Sequence, residues 1–213
     1  MTFFIITFFI ITGLVIVHLY LWKPKPMTEF YNNKPLFFAH RGCLLNKPEN
    51  TLSSFLEAIK IGAQALEIDV MKTKDKKIVC SHNHYLDIET NFIGDISELE
   101  YSYIKRANTA YRLKNIKEPI PQLIDVLKRI PDEIKINIEI KIRKSRDIFA
   151  AREIVDIIKN KNISQRVLIS SFNPLVLWYI KWLDENIRTG FLYDNPKFLF
   201  FKNIIHPDCI HPK

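Results

Sequence analysis

An α/β fold, a TIM-type (β/α)₈ barrel incomplete at its C-terminus and preceded by one transmembrane helix, is what this sequence predicts. Three observations lead there. From Leu36 onward short apolar runs alternate with helical patterns, as in successive βα units. The 213 residues leave room for one medium domain plus an anchor, and not for two full domains. No glycine-rich dinucleotide turn supports the rival doubly wound sheet.

The anchor comes first. Phe3 to Trp22 is a run of 20 residues without a formal charge, enough to cross a hydrocarbon core of about 30 Å as a helix. No Lys or Arg precedes the run and no small-x-small site follows it, which sets aside a cleaved signal peptide. Tyr20 and Trp22 suit an interfacial belt, and His18 reads as an interfacial passenger. Lys23 and Lys25 flank the far side, so the positive-inside bias places residues 23–213 in the cytoplasm of a single-pass membrane protein. The chain then divides into an anchor (1–22), a linker (23–35) and a barrel domain (36–213). Lys23-Pro24-Lys25-Pro26 opens the linker as a stiff segment, and 13 residues reach at most about 45 Å.

Within the domain, the strand-like pieces are Leu36–His40, Ala65–Met71, Lys77–Ser81, Ile134–Ile142, Arg166–Phe172, Arg188–Tyr193 and Cys209–His211. Helical pieces are Thr51–Ile61, Pro121–Arg129, Ile148–Asn160 and Pro174–Asp184. There is no solenoid period and no low-complexity tract.

Composition narrows the function. The net charge of +8 fits a nucleic-acid surface, anionic lipid headgroups or phosphate-bearing substrates. No zinc-finger, RNP or helix-turn-helix signature accompanies the charge, so no nucleic acid is expected as partner. Three scattered cysteines without CxxC spacing exclude a disulfide framework and a thiolate zinc site. The sequence names no protein partner.

Several polar residues sit at strand ends where a structural role alone would want apolar ones. His40-Arg41-Gly42 ends the first strand, and the glycine lets the chain turn sharply. Glu67 and Asp69 share one face of the second strand, since alternate residues point the same way. Two like charges so close resist joint ionisation unless a cation neutralises them. Glu139 and Lys141 repeat that spacing, and His82 closes the third strand. Singly, each has an ordinary structural explanation. Together they form two imidazoles, three carboxylates, an arginine and a lysine at the ends of different parallel strands, where barrel enzymes keep their sites.

The order and spacing of His40-Arg41-Gly42, Pro48-Glu49-Asn50-Thr51, Glu67-Ile68-Asp69-Val70, Ser81-His82 and Asn137-Ile138-Glu139-Ile140-Lys141 resembles the glycerophosphodiester phosphodiesterase family. Ser170-Ser171-Phe172 is similar to a later strand motif, and the resemblance runs from Leu36 to the C-terminus. It implies a TIM-type barrel and a divalent cation. It puts Glu67, Asp69 and Glu139 on metal-ligand positions, His40 and His82 on the acid–base pair, and Arg41 on a phosphate contact. Glu49 and Lys141 fall on positions lining the same site. All-oxygen ligands favour Mg²⁺ or Ca²⁺ over zinc. Departures are Asn83, where that family usually has Asp, and Leu86–Thr90, which lacks its usual arginine. Ile120–Ile124 lacks a common threonine and glutamate, and the closing strands of the family are absent.

Expected substrates are glycerophosphodiesters, cleaved to an alcohol and glycerol 3-phosphate in lipid metabolism, or lysophospholipids cleaved at the headgroup side. Tyr101 to Lys117, with five basic residues, three tyrosines and no acid, reads either as a solvated face or as a lip meeting membrane lipid. The alternative from another class is a truncated, non-catalytic membrane protein. An unclosed barrel would leave strand edges unpaired, so the chain alone is expected to be unstable.

Overall fold

The computed structural model describes residues 2–16, 18–19, 23–32, 34–113 and 116–213. In chain order its helices are α1 (Thr2–Ile16), α2 (Thr28–Tyr31), α3 (Leu52–Lys60), α4 (Leu86–Glu89), α5 (Tyr101–Ile104), α6 (Leu123–Leu127), α7 (Ala150–Lys161), α8 (Pro174–Leu183) and α9 (Lys202–Ile205). Its strands are β1 (Phe38–His40), β2 (Ala65–Lys72), β3 (Ile78–Cys80), β4 (Lys135–Ile140), β5 (Val167–Ser171), β6 (Arg188–Tyr193) and β7 (Cys209–Pro212). The strands form one curled sheet in the order β1-β2-β4-β5-β6-β7, parallel throughout, with β3 attached to β2. The result is a half-barrel with β1 and β7 at its edges.

Alternation along the central strands decides what each face does. Leu66, Ile68 and Val70 of β2, Ile136, Ile138 and Ile140 of β4, and Val167 and Ile169 of β5 are all buried in one cluster with α3, α7 and α8. The helices present Phe55 and Ala58, Ile154 and Ile158, and Val176 and Ile180 to it. The intervening residues Glu67, Asp69, Asn137, Glu139 and Ser170 therefore face the inside of the curl. Local signals start and stop these helices. Thr51 and Ser54 cap α3 reciprocally, each side chain accepting the other's backbone N–H at 3.3 Å. Asn173 accepts from Leu175 N at 2.9 Å ahead of Pro174 at the start of α8. Asn162, in the left-handed region (φ 53°), ends α7.

Two sequence expectations need correction here. The first is the membrane span and the single-pass, cytoplasmic topology built on it. The described helix α1 has 15 residues, about 22 Å at 1.5 Å per residue, short of the roughly 30 Å a crossing needs. Among the described residues no helix is long and apolar enough to cross a membrane. Tyr20 and Trp22 lie outside the described residues.

The second concerns the strand before His82. β3 runs antiparallel to β2, with Val70 opposite Cys80 and Lys72 opposite Ile78. Only residues 73–77 separate the two strands, enough for a hairpin but far too few for a parallel crossover. The excursion from Thr73 to Ile120 has a small core of its own, with Met71, Val79, Leu86, Ile96, Ile104 and Ile120 buried together. Much of the basic segment 101–117 belongs to this excursion. Ile104, Ala107 and Ala110 are buried, and the Arg106 guanidinium lies 5.1 Å from the Tyr103 ring centre. Lys114 lies outside the described residues.

Residues of the stiff segment after Trp22 touch the domain. Phe30 is buried, and Lys135 Nζ, at the start of β4, stands 5.1 Å from its ring centre. Lys25 N donates to Asp208 Oδ1 at 2.6 Å, just ahead of β7. Both contacts lie at the N-terminal ends of strands, on the floor of the half-barrel.

Asp208 is the most demanding group on that floor. Its side chain is fully buried and pairs with the equally buried Lys181 of α8, while Thr189 N donates to Oδ2 at 2.8 Å. Burial lowers the Lys181 ammonium below its usual range, with Asp208 opposing the shift. Removing one partner strands the other's charge in the core, a loss of about 3–5 kcal/mol. D208A should therefore lower unfolding stability by that much in urea titration, and the double variant D208A/K181M should recover most of it. Equal stability of D208A and the parent would show that the pair holds nothing together.

Candidate active site

Parallel register brings the polar inner faces of β1, β2, β4 and β5 into line. His40 of β1 pairs in register with Glu67 of β2, and Asp69 pairs with Glu139 of β4, which in turn pairs with Ser170 of β5. Two-residue spacing along each strand then stacks Glu67 with Asp69 and Glu139 with Lys141 at the C-terminal rim. One carboxylate oxygen each from Glu67, Asp69 and Glu139 lies within 4.8 Å of the others. Oxygen ligands held at about 2.0–2.6 Å from one ion are separated by no more than about 5 Å, so this trio suits a hard divalent cation.

Electrostatics agree with that fit. Burial is the main cause that pushes the Glu139 carboxyl up to about 7, with Lys141 opposing and Asp69 and Glu67 adding to the rise. Burial likewise raises Glu67, against the pull of His40. Lys141 Nζ supplies the compensating charge among the protein's own groups, 2.5 Å from Glu139 Oε1 and 3.0 Å from Asp69 Oδ1. The Asp69 contact is an ion pair off the hydrogen-bond line, and that buried oxygen makes no hydrogen bond. A buried carboxylate oxygen in that condition is what a metal ligand looks like without its metal.

The turn after β1 sets the arginine. Arg41 (φ 57°), Gly42 (φ 92°) and Asn50 (φ 54°) all lie in the left-handed region. A Cβ on Gly42 would stand 2.4 Å from Ser54 Oγ, so only glycine lets the turn close on α3. Arg41 Nε is 3.1 Å from Asp69 Oδ2, and its Nη1 is 3.1 Å from Glu49 Oε2. Asn50 reads both ends of the Asp69 residue: its Nδ2 donates to Oδ2 and its Oδ1 accepts from the backbone N–H, each at 2.9 Å.

The two imidazoles approach from different sides. His40 Nε2 lies 3.3 Å from Glu67 Oε1, with a side chain 61% exposed. His82 arrives on the returning hairpin, fixed by Ser81 N donating to Asp69 O at 3.1 Å. Burial is the main cause that lowers the His82 imidazole, with Lys141 and Arg41 adding to it. The eight residues singled out in the sequence thus fall into two joined groups. Glu67, Asp69, Glu139, Lys141 and His40 form one; Glu49 and His82 form the other; and Arg41 bridges them. Sequence reasoning assigned no task to Asn50 or to Glu89, which completes the second group. The readable signal for Asn50 was an asparagine in a tight turn, since Asn tolerates the left-handed region.

A cleft of about 590 Å³ opens beside Glu139 and Lys141. Its far wall is apolar, with Ile142, Phe172, Pro174, Leu175 and Phe201. A second cleft of about 340 Å³ shares Phe172, Pro174 and Phe201 and extends along Phe191 and Phe198.

Comparison with known proteins gives a consistent picture. Residues 40–199 match the glycerophosphoryl diester phosphodiesterase family. A glycerophosphodiester phosphodiesterase of Caldanaerobacter subterraneus subsp. tengcongensis is 35% identical over 163 residues, covering 75% of this chain and 67% of that one. A human lysophospholipase D is 32% identical over 125 residues, covering 55% of this chain and 40% of that one. Among solved structures, a phosphodiesterase of Oleispira antarctica in complex with the product sn-glycerol-3-phosphate superposes with a TM-score of 0.76. It is 25% identical, and the match covers 86% of this chain and 76% of that one. The chain spans about two thirds of the first of these relatives and less of the second.

Proposed function

Because this chain belongs to the glycerophosphoryl diester phosphodiesterase family, whose match takes in residues 40–199, we propose that it hydrolyses glycerophosphodiesters to an alcohol and glycerol 3-phosphate. The observation that carries the reading is the convergence of Glu67, Asp69 and Glu139 within 4.8 Å, flanked by two imidazoles and two fixed cationic side chains. Glu67, Asp69 and Glu139 would hold a divalent cation, Mg²⁺ or Ca²⁺, which would supply Lewis-acid neutralisation of phosphoryl charge. Arg41 and Lys141 hold the remaining phosphate oxygens, the guanidinium through its planar fork. His40 and His82 divide the proton work. One takes the proton of the attacking hydroxyl as the new bond to phosphorus forms. The other gives a proton to the departing alkoxide as its bond to phosphorus breaks. The attacking group is water, or the glycerol hydroxyl beside the phosphate, in which case water then opens the cyclic phosphate to give glycerol 3-phosphate.

The test is glycerophosphocholine hydrolysis by purified protein with Mg²⁺, with Ca²⁺ and with excess chelator. Choline and glycerol 3-phosphate should appear only with a cation. No release under any condition would favour the non-catalytic alternative.

Cation affinity should also depend on pH. Burial pushes Glu139 up to about 7 and raises Glu67, so a cation must displace protons that occupy these carboxyls more fully as pH falls. Calorimetric affinity for Mg²⁺ or Ca²⁺ should drop about tenfold from pH 8 to pH 6 through Glu139 alone, with Glu67 adding to the fall. A constant affinity over that range would mean the carboxyls are already ionised.

The apolar wall of the cleft favours a second substrate. A lysophospholipid could seat its phosphodiester at Glu139 and Lys141 and lay its acyl chain along Phe172, Phe201 and Phe198. A kcat/KM for lysophosphatidylcholine above that for glycerophosphocholine would support it, and a preference for the water-soluble diester would remove it.

A further inference from the structure

The excursion after β3 carries one carboxyl that the chemistry above leaves idle. Glu89 ends α4, and buried neighbours set its position. Thr90 Oγ1 donates to Leu86 O at 2.8 Å, and Leu86 N donates to Gly94 O at 2.9 Å. From there the side chain reaches back over the preceding loop. It accepts from Ser81 Oγ at 3.2 Å and from Asn83 N at 3.2 Å, and Asn83 Nδ2 donates to the same oxygen. Ser81 and Asn83 are the residues on either side of His82, so one carboxyl fastens the loop both before and after the imidazole. It also meets a second carboxyl. A ring nitrogen of His82 and one oxygen each of Glu49 and Glu89 lie within 4.8 Å of one another.

Two carboxylates and an imidazole at that spacing suit either a metal ion or a proton. Arg41 decides between them. Its Nη1 stands 3.1 and 3.2 Å from the two oxygens of Glu49, so one positive charge is already in place. Ser81 and Asn83 already donate to both oxygens of Glu89, and that guanidinium is shared with Asp69, so one proton between the two carboxyls relieves their repulsion without a cation.

We propose that Glu89 is a positioning residue for His82, clamping the loop on both sides of the imidazole and sharing one proton with Glu49 beside it. The inference rests on His82 acting in the reaction above. Burial pushes the Glu89 carboxyl up to about 7; the Asn83 hydrogen bonds oppose this and the Glu49 charge adds to it. The shared proton therefore leaves in the neutral range. The charged groups facing the pair are Arg41 from the turn after β1 and His82 itself, with Lys141 just after β4 and Asp69 of β2 also acting on the ring. Asp87 on the same turn is exposed. When Glu89 ionises, a new negative charge appears near His82 and favours the imidazolium, so the ring's own titration is drawn upward.

The test follows the His82 ring signals by NMR between pH 5 and 9, in the full chain and in E89Q. Glutamine keeps an acceptor for Asn83 and can donate to Glu49, but it has no proton to lose. The parent should show two inflections, one of them near pH 7. In E89Q the second inflection should vanish and the ring midpoint should fall by about one unit. The limb of the kcat/KM pH profile that reports His82 should move by the same amount. An unchanged His82 titration in E89Q overturns the proposal, whatever happens to the rate. If circular dichroism finds E89Q unfolded, the parent alone decides: two inflections support the proposal and one overturns it. The titration needs no turnover. An inactive parent with both inflections would sink the hydrolytic reading and leave this one standing.

Discussion

Glu67→Gln will leave the protein folded and bring hydrolysis down by about a thousandfold, the scale of loss when a preorganised charge is taken from a reacting phosphoryl group. Glutamine matches the shape of glutamate and keeps an oxygen, so packing on β2 is undisturbed. What changes is charge. The trio within 4.8 Å falls from three carboxylates to two, and Lys141, already bound to Asp69 and Glu139, then neutralises a larger share of what remains. A divalent cation loses both a ligand and much of its electrostatic advantage over that ammonium. Calorimetry should register weaker Mg²⁺ or Ca²⁺ binding in parallel with the lost rate. Thermal stability should hold or rise, because burial already disfavours the ionised Glu67. Parental turnover by E67Q, or full activity of the parent in excess chelator, would sink the assignment.

His82→Ala is the second large effect, a loss of about 10²–10⁴ in kcat, the usual contribution of a positioned acid or base. Two substrates then separate the possible roles. An aryl ester such as a p-nitrophenyl phosphodiester expels a stable phenolate without help. A variant that has lost its general acid is nearly restored on that substrate. A variant that has lost its base is equally impaired on both. His82 stands between Arg41 and Lys141 on one side and Glu49 and Glu89 on the other, so its removal also takes the imidazole from the Glu49–Glu89 pair, which keeps Arg41, Ser81 and Asn83. A parental rate for H82A with glycerophosphocholine would remove His82 from the chemistry.

The sequence carried most of this because the chemistry sits on strands. Seven strand segments were readable from their apolar runs, each within about two residues of its observed ends, since β-branched residues and strict alternation mark a half-buried strand. The polar residues interrupting those runs, Glu67 and Asp69 in β2 and Glu139 in β4, could therefore be assigned to one face and brought together by parallel register. What escaped depends on chain return. Ile78–Cys80 looks like any other strand, and only the five residues before it told against a parallel partner. Glu89 lies in a one-turn helix whose four residues carry no period, so its approach to His82 could not be seen from spacing. The floor was hidden for another reason: Phe30 lies in a short stretch with no strand or helix period, and its burial against Lys135 depends on tertiary contact. The long apolar stretch at the start misled because hydropathy measures what a segment could do in lipid, and a helix of 15 described residues falls short of that.

The contacts of Lys25 and Phe30 have a practical consequence for handling the protein. Lys25 and Phe30 grip the floor through Asp208 and Lys135, whereas β7 runs parallel to β6 and so delivers His211 and Pro212 to the same rim as Asp69 and Glu139. The polypeptide enters on one side of the molecule and leaves on the other. A bead, chip or fluorescent protein joined ahead of Lys23 would hold the enzyme by its underside with the cleft facing outward. The same cargo joined after Lys213 would sit at the doorway. Surface immobilisation through the N-terminal side should then preserve access for bulky diesters, and attachment through the C-terminal side should raise KM for large substrates more than for small ones.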